Sequence, residues 1–194
     1  MMPHLHYAAD MIVVGTSQGG FDALKIILAP LPADFKIPIL VVRHQAPDSD
    51  DYIIKSLARI TQLKIGYALN GQIPESGGVY LAPPDRHLLL GIDKRMRLSR
   101  DKPVHFSRPA IDPLFQTAAA VFGSHLAAVV LTGANSDGAE GAKEVKAKGG
   151  LVIVQDPDSA EARVMPEAAL ISVTADHIIW LNQIGPFLWS LTRD

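Results

Sequence analysis

The sequence has 194 residues, 48% of them hydrophobic and 20% charged, with a formal net charge of -2, which describes one folded domain rather than a disordered chain. Its 18 basic and 20 acidic residues lack the overall basic bias of nucleic-acid binders, and no apolar stretch approaches the ~20 residues that cross a bilayer. Cysteine is absent, which excludes disulfides, thiolate metal sites and cysteine nucleophiles.

Residues 1–10 read as a short leader and residues 11–194 as a single domain. The leader has no basic region followed by an apolar run, so it is no secretory signal, and a cytoplasmic protein is the plain expectation. His4 and His6 stand two apart on it without clustered partner ligands, so no metal is expected.

The first element is the apolar run Met11-Ile-Val-Val-Gly15, of strand character. The small-residue turn Thr16-Ser17-Gln18-Gly19-Gly20 follows, and helical spacing resumes over residues 21–28. Ile37-Pro-Ile-Leu-Val-Val-Arg43 reads as a strand covered on both faces, ending at His44. Asp48-Ser-Asp-Asp51 offers caps for a helix that the spacing of Ile53, Ile54, Leu57 and Ile60 extends through Leu63. Residues 64–99 change texture, with short runs between turn signals such as Asn70-Gly71, and read as an antiparallel extension. The basic cluster Lys94-Arg-Met-Arg97 with Arg100 and Lys102 reads as the solvated face of a hairpin.

Asp112 is expected to cap a helix whose first turn holds Pro113. Leu126-Ala-Ala-Val-Val-Leu131 is a buried strand leading into Thr132-Gly-Ala-Asn-Ser-Asp137-Gly138, and a helix follows to the stop at Gly149-Gly150. Residues 151–154 form the next strand. A short piece at residues 171–174 and a last helix from about Asp176, interrupted at Gly185-Pro186, complete the chain. The alternation predicts an α/β fold: a doubly wound, mostly parallel, Rossmann-like three-layer sheet with an antiparallel hairpin extension.

Candidate chemistry gathers at strand ends, where open α/β sheets hold their sites. The first strand delivers Ser17, the second His44, and the strand near residue 130 delivers Asp137. A serine hydroxyl needs an imidazole to take its proton, and the imidazole needs a carboxylate to fix its tautomer. Backbone N–H donors for an oxyanion are expected from the glycine turns at Gly19-Gly20 and Gly133 to Gly138, with Gln18, Gly19, Gly133 and Ala134 as the candidate oxyanion-loop residues. Asp85, His87, Arg108 and Asp112 are candidates to line the same cleft. Each has a plainer reading: Ser17 as a tolerated turn residue, His44 as a satisfied histidine, Asp137 as a helix cap, the others as turn formers. The first turn also fits a degraded dinucleotide loop with Gly15 and Gly20 in frame. That reading wants an acidic residue after the second strand and finds Arg43, which suits only a 2′-phosphate, so an NADP-binding domain stays as an alternative.

The residues also carry a resemblance. Gly15-Thr-Ser17-Gln-Gly19-Gly20, Val41-Val-Arg-His44-Gln-Ala-Pro47, Val79-Tyr-Leu-Ala-Pro-Pro-Asp85-Arg-His87, Arg108-Pro-Ala-Ile-Asp112-Pro-Leu-Phe115 and Leu131-Thr-Gly-Ala-Asn-Ser-Asp137-Gly138-Ala139 occur in that order. With this spacing the chain resembles the catalytic domain of the CheB-type protein-glutamate methylesterases over residues 11–188. The resemblance implies a Ser17–His44–Asp137 triad, no cofactor, hydrolysis of glutamate methyl esters on the cytoplasmic helices of chemoreceptors, and deamidation of certain receptor glutamines. The charge balance and the lack of a long apolar stretch leave no nucleic-acid partner and no insertion into the membrane expected.

Three departures accompany it. The chain begins almost at the catalytic strand, where the family usually has a receiver domain first, which implies a stand-alone enzyme that is constitutive, controlled by a separate regulatory chain, or part of a larger system. Gln18 replaces a small hydroxyl residue, and Ala134-Asn135 replaces Met-Gly. The altered loop keeps open a second alternative, a catalytically weak or inactive relative that binds receptor as a signalling module.

Overall fold

The computed structural model describes residues 8–192; His4 and His6 lie outside them. The described residues form nine strands and six α-helices: β1 (Met11–Thr16), α1 (Gly20–Leu28), β2 (Ile39–Arg43), α2 (Tyr52–Leu57), β3 (Ile65–Tyr67), β4 (Val79–Leu81), β5 (His87–Leu90), β6 (Met96–Ser99), α3 (Ile111–Phe122), β7 (Leu126–Val130), α4 (Ala139–Ala147), β8 (Leu151–Gln155), α5 (Val164–Ser172), β9 (His177–Ile179) and α6 (Leu181–Trp189). Seven strands form a parallel sheet in the order β3-β4-β2-β1-β7-β8-β9, and β5 pairs antiparallel with β6.

The continuous apolar runs of β1, β2, β7 and β8 follow from burial on both faces. Side chains alternate across a strand. Ile12 and Val14 join Leu24 and Ile27 of α1, Leu57 of α2 and Ile184 of α6 on one face. Met11 and Val13 join Ile111 and Phe115 of α3, Val145 of α4 and Met165 of α5 on the other. β1 sits where the strand order reverses, with β2 on one side and β7 on the other. The crevice at such a reversal, above the carboxyl ends of the strands, is where doubly wound sheets bind.

Four elements differ from expectation. The second helix stops at Leu57 rather than Leu63. There Thr61 turns the chain, its hydroxyl donating to Leu28 O at 3.3 Å and accepting the Leu63 N–H at 3.2 Å. Residues 64–99 are not all antiparallel: β3 and β4 extend the parallel sheet, and only β5–β6 is a hairpin. The last strand is β9, later than residues 171–174. Asp176 docks the chain on β8, its N–H donating to Val152 O and its Oδ2 accepting the Val152 N–H, both at 2.9 Å. Finally, α6 runs through Gly185-Pro186 without a break. Gly185 is the contact with α1, since a Cβ there would lie 2.6 Å from Ile27 O.

One close approach sets the position of α3. A Cβ on Gly15 would lie 2.4 Å from Ile111 Cγ2, and one on Gly138 2.9 Å from the same atom. Ile111 therefore seats the first turn of α3 between the ends of β1 and the residue 131–138 loop. Gly15→Ala is expected to cost about 1–3 kcal/mol through overpacking and to lower Tm by several degrees. An unchanged melting curve would contradict this seating.

Candidate active site

Ser17 follows β1 directly. Its N–H donates to Thr132 O at 3.0 Å, and its carbonyl accepts the Gly20 N–H at 2.9 Å. Gly19 then turns the chain with φ 75°, a left-handed conformation costly for residues with a Cβ. This leaves Ser17 half-buried at the mouth, with Gln18 exposed beside it.

His44 follows β2, one residue beyond the Thr16–Arg43 register pair, and its N–H donates to Thr16 O at 3.1 Å. The ring spans two partners: Nδ1 lies 3.2 Å from Ser17 Oγ, and Nε2 lies 2.7 Å from Asp137 Oδ2. The carboxylate fixes the tautomer. With Nε2–H donated to Asp137, Nδ1 carries the lone pair that faces the serine hydroxyl. The His44 side chain is 11% exposed and the Asp137 side chain fully buried.

Asp137 is not the cap of the helix that follows it. That position belongs to Gly138, and no side chain caps α4. Its carboxylate instead caps α3 from across the fold, Oδ2 accepting the Ile111 N–H at 2.7 Å and Oδ1 the Asp112 N–H at 3.0 Å. Burial, the largest single influence, pushes its pKa up. The hydrogen bonds from His44, Ile111 and Asp112 outweigh it, and the net pKa falls below the ordinary carboxylate value. Asp137 thus stays anionic while buried, and the positive end of the α3 dipole favours that charge.

The expected oxyanion donors separate into two groups. Gly133 is a correction: its N–H donates to Ala162 O at 3.0 Å and its carbonyl accepts the Met165 N–H, so it braces the loop and has no donor to give. Among the described residues, the N–H groups of Gln18, Gly19 and Ala134 have no protein acceptor and remain open.

The four cleft candidates are structural neighbours of the site. His87 is a correction, 2% exposed: Nδ1 accepts the Ala110 N–H and Nε2 donates to Lys102 O, both at 3.2 Å. It holds the approach to α3 and leaves no ring nitrogen for a cleft. Arg108 Nε donates to Asp85 Oδ1 at 2.9 Å, and that hydrogen bond is the main reason the Asp85 pKa lies below its ordinary value. The pair ties the residue 100–108 loop to the end of β4. Asp112 is a correction too: α3 begins at Ile111, preceded by Ala110 in extended backbone, and Asp112 is buried inside the helix. Its Oδ1 accepts the Gly141 N–H at 2.7 Å, and Oδ2 lies 3.1 Å from His105 Nε2. Burial pushes its pKa up, and the nearby Asp137 charge adds to that.

Ligand atoms of His105, Asp112 and Asp137 lie within 4.8 Å of one another. The carboxylate oxygens of both aspartates are already committed to the bonds just described, so the group is closed by hydrogen bonds and does not fit a cation.

Three contributors to the site, Thr132 and Asn135 within the last motif and Gln155 outside every motif, were given no site role by the sequence. Thr132 ties the ends of β1 and β7 together: its carbonyl accepts Thr16 Oγ1–H at 2.8 Å and the Ser17 N–H, and its hydroxyl donates to Gln18 O at 2.9 Å. Buried Gln155 holds it, Oε1 accepting the Thr132 N–H at 2.8 Å. Asn135 Nδ2 stands 3.3 Å from His44 Nδ1, and its Oδ1 accepts the Asp137 N–H at 3.2 Å. The side-chain amide is therefore aimed at the same nitrogen that Ser17 faces.

Against known proteins, the family profile described as CheB methylesterase matches residues 12–188. A protein of Leptospira interrogans is 45% identical over 185 residues, covering 95% of this chain and 96% of its own. The protein-glutamate methylesterase/protein-glutamine glutaminase 1 of Paramagnetospirillum magneticum is 33% identical, covering 94% of this chain and 49% of its own length. The crystal structure of the Thermotoga maritima CheB methylesterase catalytic domain is similar with a TM-score of 0.91 at 32% identity, covering 95% of this chain and all of that one.

Proposed function

The chain belongs to the CheB methylesterase family and is a protein-glutamate methylesterase, and we propose that it works through Ser17, His44 and Asp137 on glutamate methyl esters of chemoreceptor cytoplasmic helices. The observation that carries the proposal is the unbroken line from Ser17 Oγ through the His44 ring to Asp137, with spacings of 3.2 and 2.7 Å. It lies at the reversal point of the sheet, where substrates of such folds bind.

The chemistry follows from that line. As Ser17 Oγ attacks the ester carbonyl, its proton passes to His44 Nδ1, and Asp137 stabilises the imidazolium on the opposite nitrogen. Negative charge develops on the carbonyl oxygen, and the open N–H groups of Gln18, Gly19 and Ala134 are the donors proposed to receive it. Collapse of the tetrahedral intermediate expels methoxide, which takes the proton from Nδ1 and leaves as methanol. A water attacks the glutamyl-serine ester by the same relay and releases free glutamate. With a glutamine substrate the leaving group is ammonia, and the same line would then serve deamidation of receptor glutamines. The familial relationship favours this reading over a dinucleotide-binding domain and over an inactive module.

The purified protein is expected to release methanol from methylated receptor helices. A protein that binds them without any release would overturn the proposal in favour of the inactive alternative.

Asn135 supplies a second test. Its amide competes with the Ser17 hydroxyl for one lone pair, and such a neutral hydrogen bond is worth about 0.5–1.5 kcal/mol. Asn135→Gly is expected to raise kcat by roughly two- to tenfold. A fall in kcat would assign the amide to transition-state stabilisation instead.

A further inference from the structure

A second feature sits beside the catalytic line. Arg43 ends β2 immediately before His44 and pairs in register with Thr16. It continues the alternation of Ile39 and Val41 onto the α1 and α2 face of the sheet. There it lines a pocket of about 280 Å³ together with Phe21, Gln45, Asp50 and Tyr52. Phe21 lies in the first turn of α1, four residues after Ser17, and Thr16 and Arg43 stand on neighbouring strands ~4.8 Å apart. Ser17 and His44 directly follow Thr16 and Arg43 in the chain, so the pocket lies at the same carboxyl edge of the sheet as the nucleophile.

Among the described residues the guanidinium in this pocket has no counter-ion. Its Nε is buried without a hydrogen-bond partner, and among the described residues no carboxylate pairs with it. Burial pulls its pKa below the ordinary value, opposed by the Tyr67 hydroxyl. The carboxylate that lines the pocket, Asp50, accepts the Tyr52 N–H at 3.0 Å and forms no ion pair with Arg43. A half-buried cation left unpaired is costly, and a carboxylate is the group that matches its planar fork. The rim suits the rest of such a side chain: the Phe21 and Tyr52 rings stand 5.9 Å apart, and Tyr52 is 65% exposed, ready to cover a methylene stem.

We propose that this pocket binds a second side chain of the substrate helix, the carboxylate of an aspartate or glutamate one turn from the esterified glutamate, with Arg43 as its counter-ion. The inference rests on the methylesterase reading above. It makes Arg43 a specificity residue: the enzyme distinguishes esters by the charge of their neighbours, and methylation or amidation of that neighbour weakens binding.

The test separates the two readings. Helical peptides carry one glutamate methyl ester with either glutamate or glutamine one turn to each side, and their affinities for Ser17→Ala protein, which leaves the ester intact, are read by fluorescence anisotropy. The glutamate-flanked peptide is expected to bind about tenfold more tightly, as a charged hydrogen-bonded contact would make it. The preference should vanish in Ser17→Ala/Arg43→Gln and partly survive in Ser17→Ala/Arg43→Lys. Equal affinities for the two peptides, no binding of either, or a preference that survives Arg43→Gln would each overturn the proposal. Methanol release by the unmodified enzyme from the same peptides reports independently on the methylesterase reading.

Discussion

Ser17→Ala is expected to abolish methanol release, with kcat falling by about ten-thousand-fold or more, and to leave Tm unchanged. The large catalytic loss follows from removal of the oxygen proposed to attack the acyl carbon. The unchanged stability follows from how Ser17 is held. Its structural bonds are made by backbone, the N–H to Thr132 O and the carbonyl to the Gly20 N–H, and alanine keeps both. Among the described residues the hydroxyl faces only His44 Nδ1, which retains the Asn135 amide as a donor in its absence. Methanol release measured with a coupled assay on methylated receptor, alongside a thermal melt, checks both halves. A variant with more than a tenth of the original rate would mean that another group attacks the ester.

Asp137→Asn is expected to lower kcat by about a thousand- to ten-thousand-fold, the scale on which an asparagine in this role fixes the wrong tautomer, and here stability should fall as well. The carboxylate accepts from His44 Nε2, the Ile111 N–H and the Asp112 N–H. An asparagine offers one acceptor oxygen and turns an NH2 toward a donor, leaving a buried N–H unsatisfied at a cost of about 1–3 kcal/mol. Acid dependence gives an additional readout. The folded-state pKa of Asp137 lies below its ordinary value, so its ionisation contributes stability that is full above the unfolded value of about 3.9. That contribution is lost as pH falls through the lower folded value. Urea melts from pH 7 down to pH 3 should therefore decline more steeply for the native chain than for Asp137→Asn. Parallel declines would mean that the carboxylate carries no such linkage.

The sheet and the strand-end residues were legible because they rest on local signals. Doubly buried strands are short continuous apolar runs, and β1, β2, β7 and β8 read that way without ambiguity. Ser17 and His44 each follow a strand within one residue, so locating the strand locates the side chain. Asp137 lies seven residues past the end of β7, so the strand end located its loop but not the direction in which its side chain reaches. Its α3-capping role depends on Ile111 seating between Gly15 and Gly138, a contact between distant segments with no sequence period. The same limit hid Thr132 and Gln155, whose side chains bond across strands, and it made Asp112 look like a cap when it is the second residue of its helix. The late β9 was obscured because Asp176, a residue that favours turns, docks the strand by pairing with Val152. Gln18 has a clear position, exposed beside the nucleophile with its carbonyl held by Thr132, and nothing in the structure explains the choice of its side chain.

The central claim is that Ser17 forms the covalent intermediate. Rapid acid quenching of the enzyme during turnover of a methyl-ester peptide, followed by peptide mapping with mass spectrometry, tests it directly. The predicted result is a glutamyl adduct on the peptide that contains Ser17, absent from Ser17→Ala. An adduct on any other residue, or one that persists in Ser17→Ala, would contradict it.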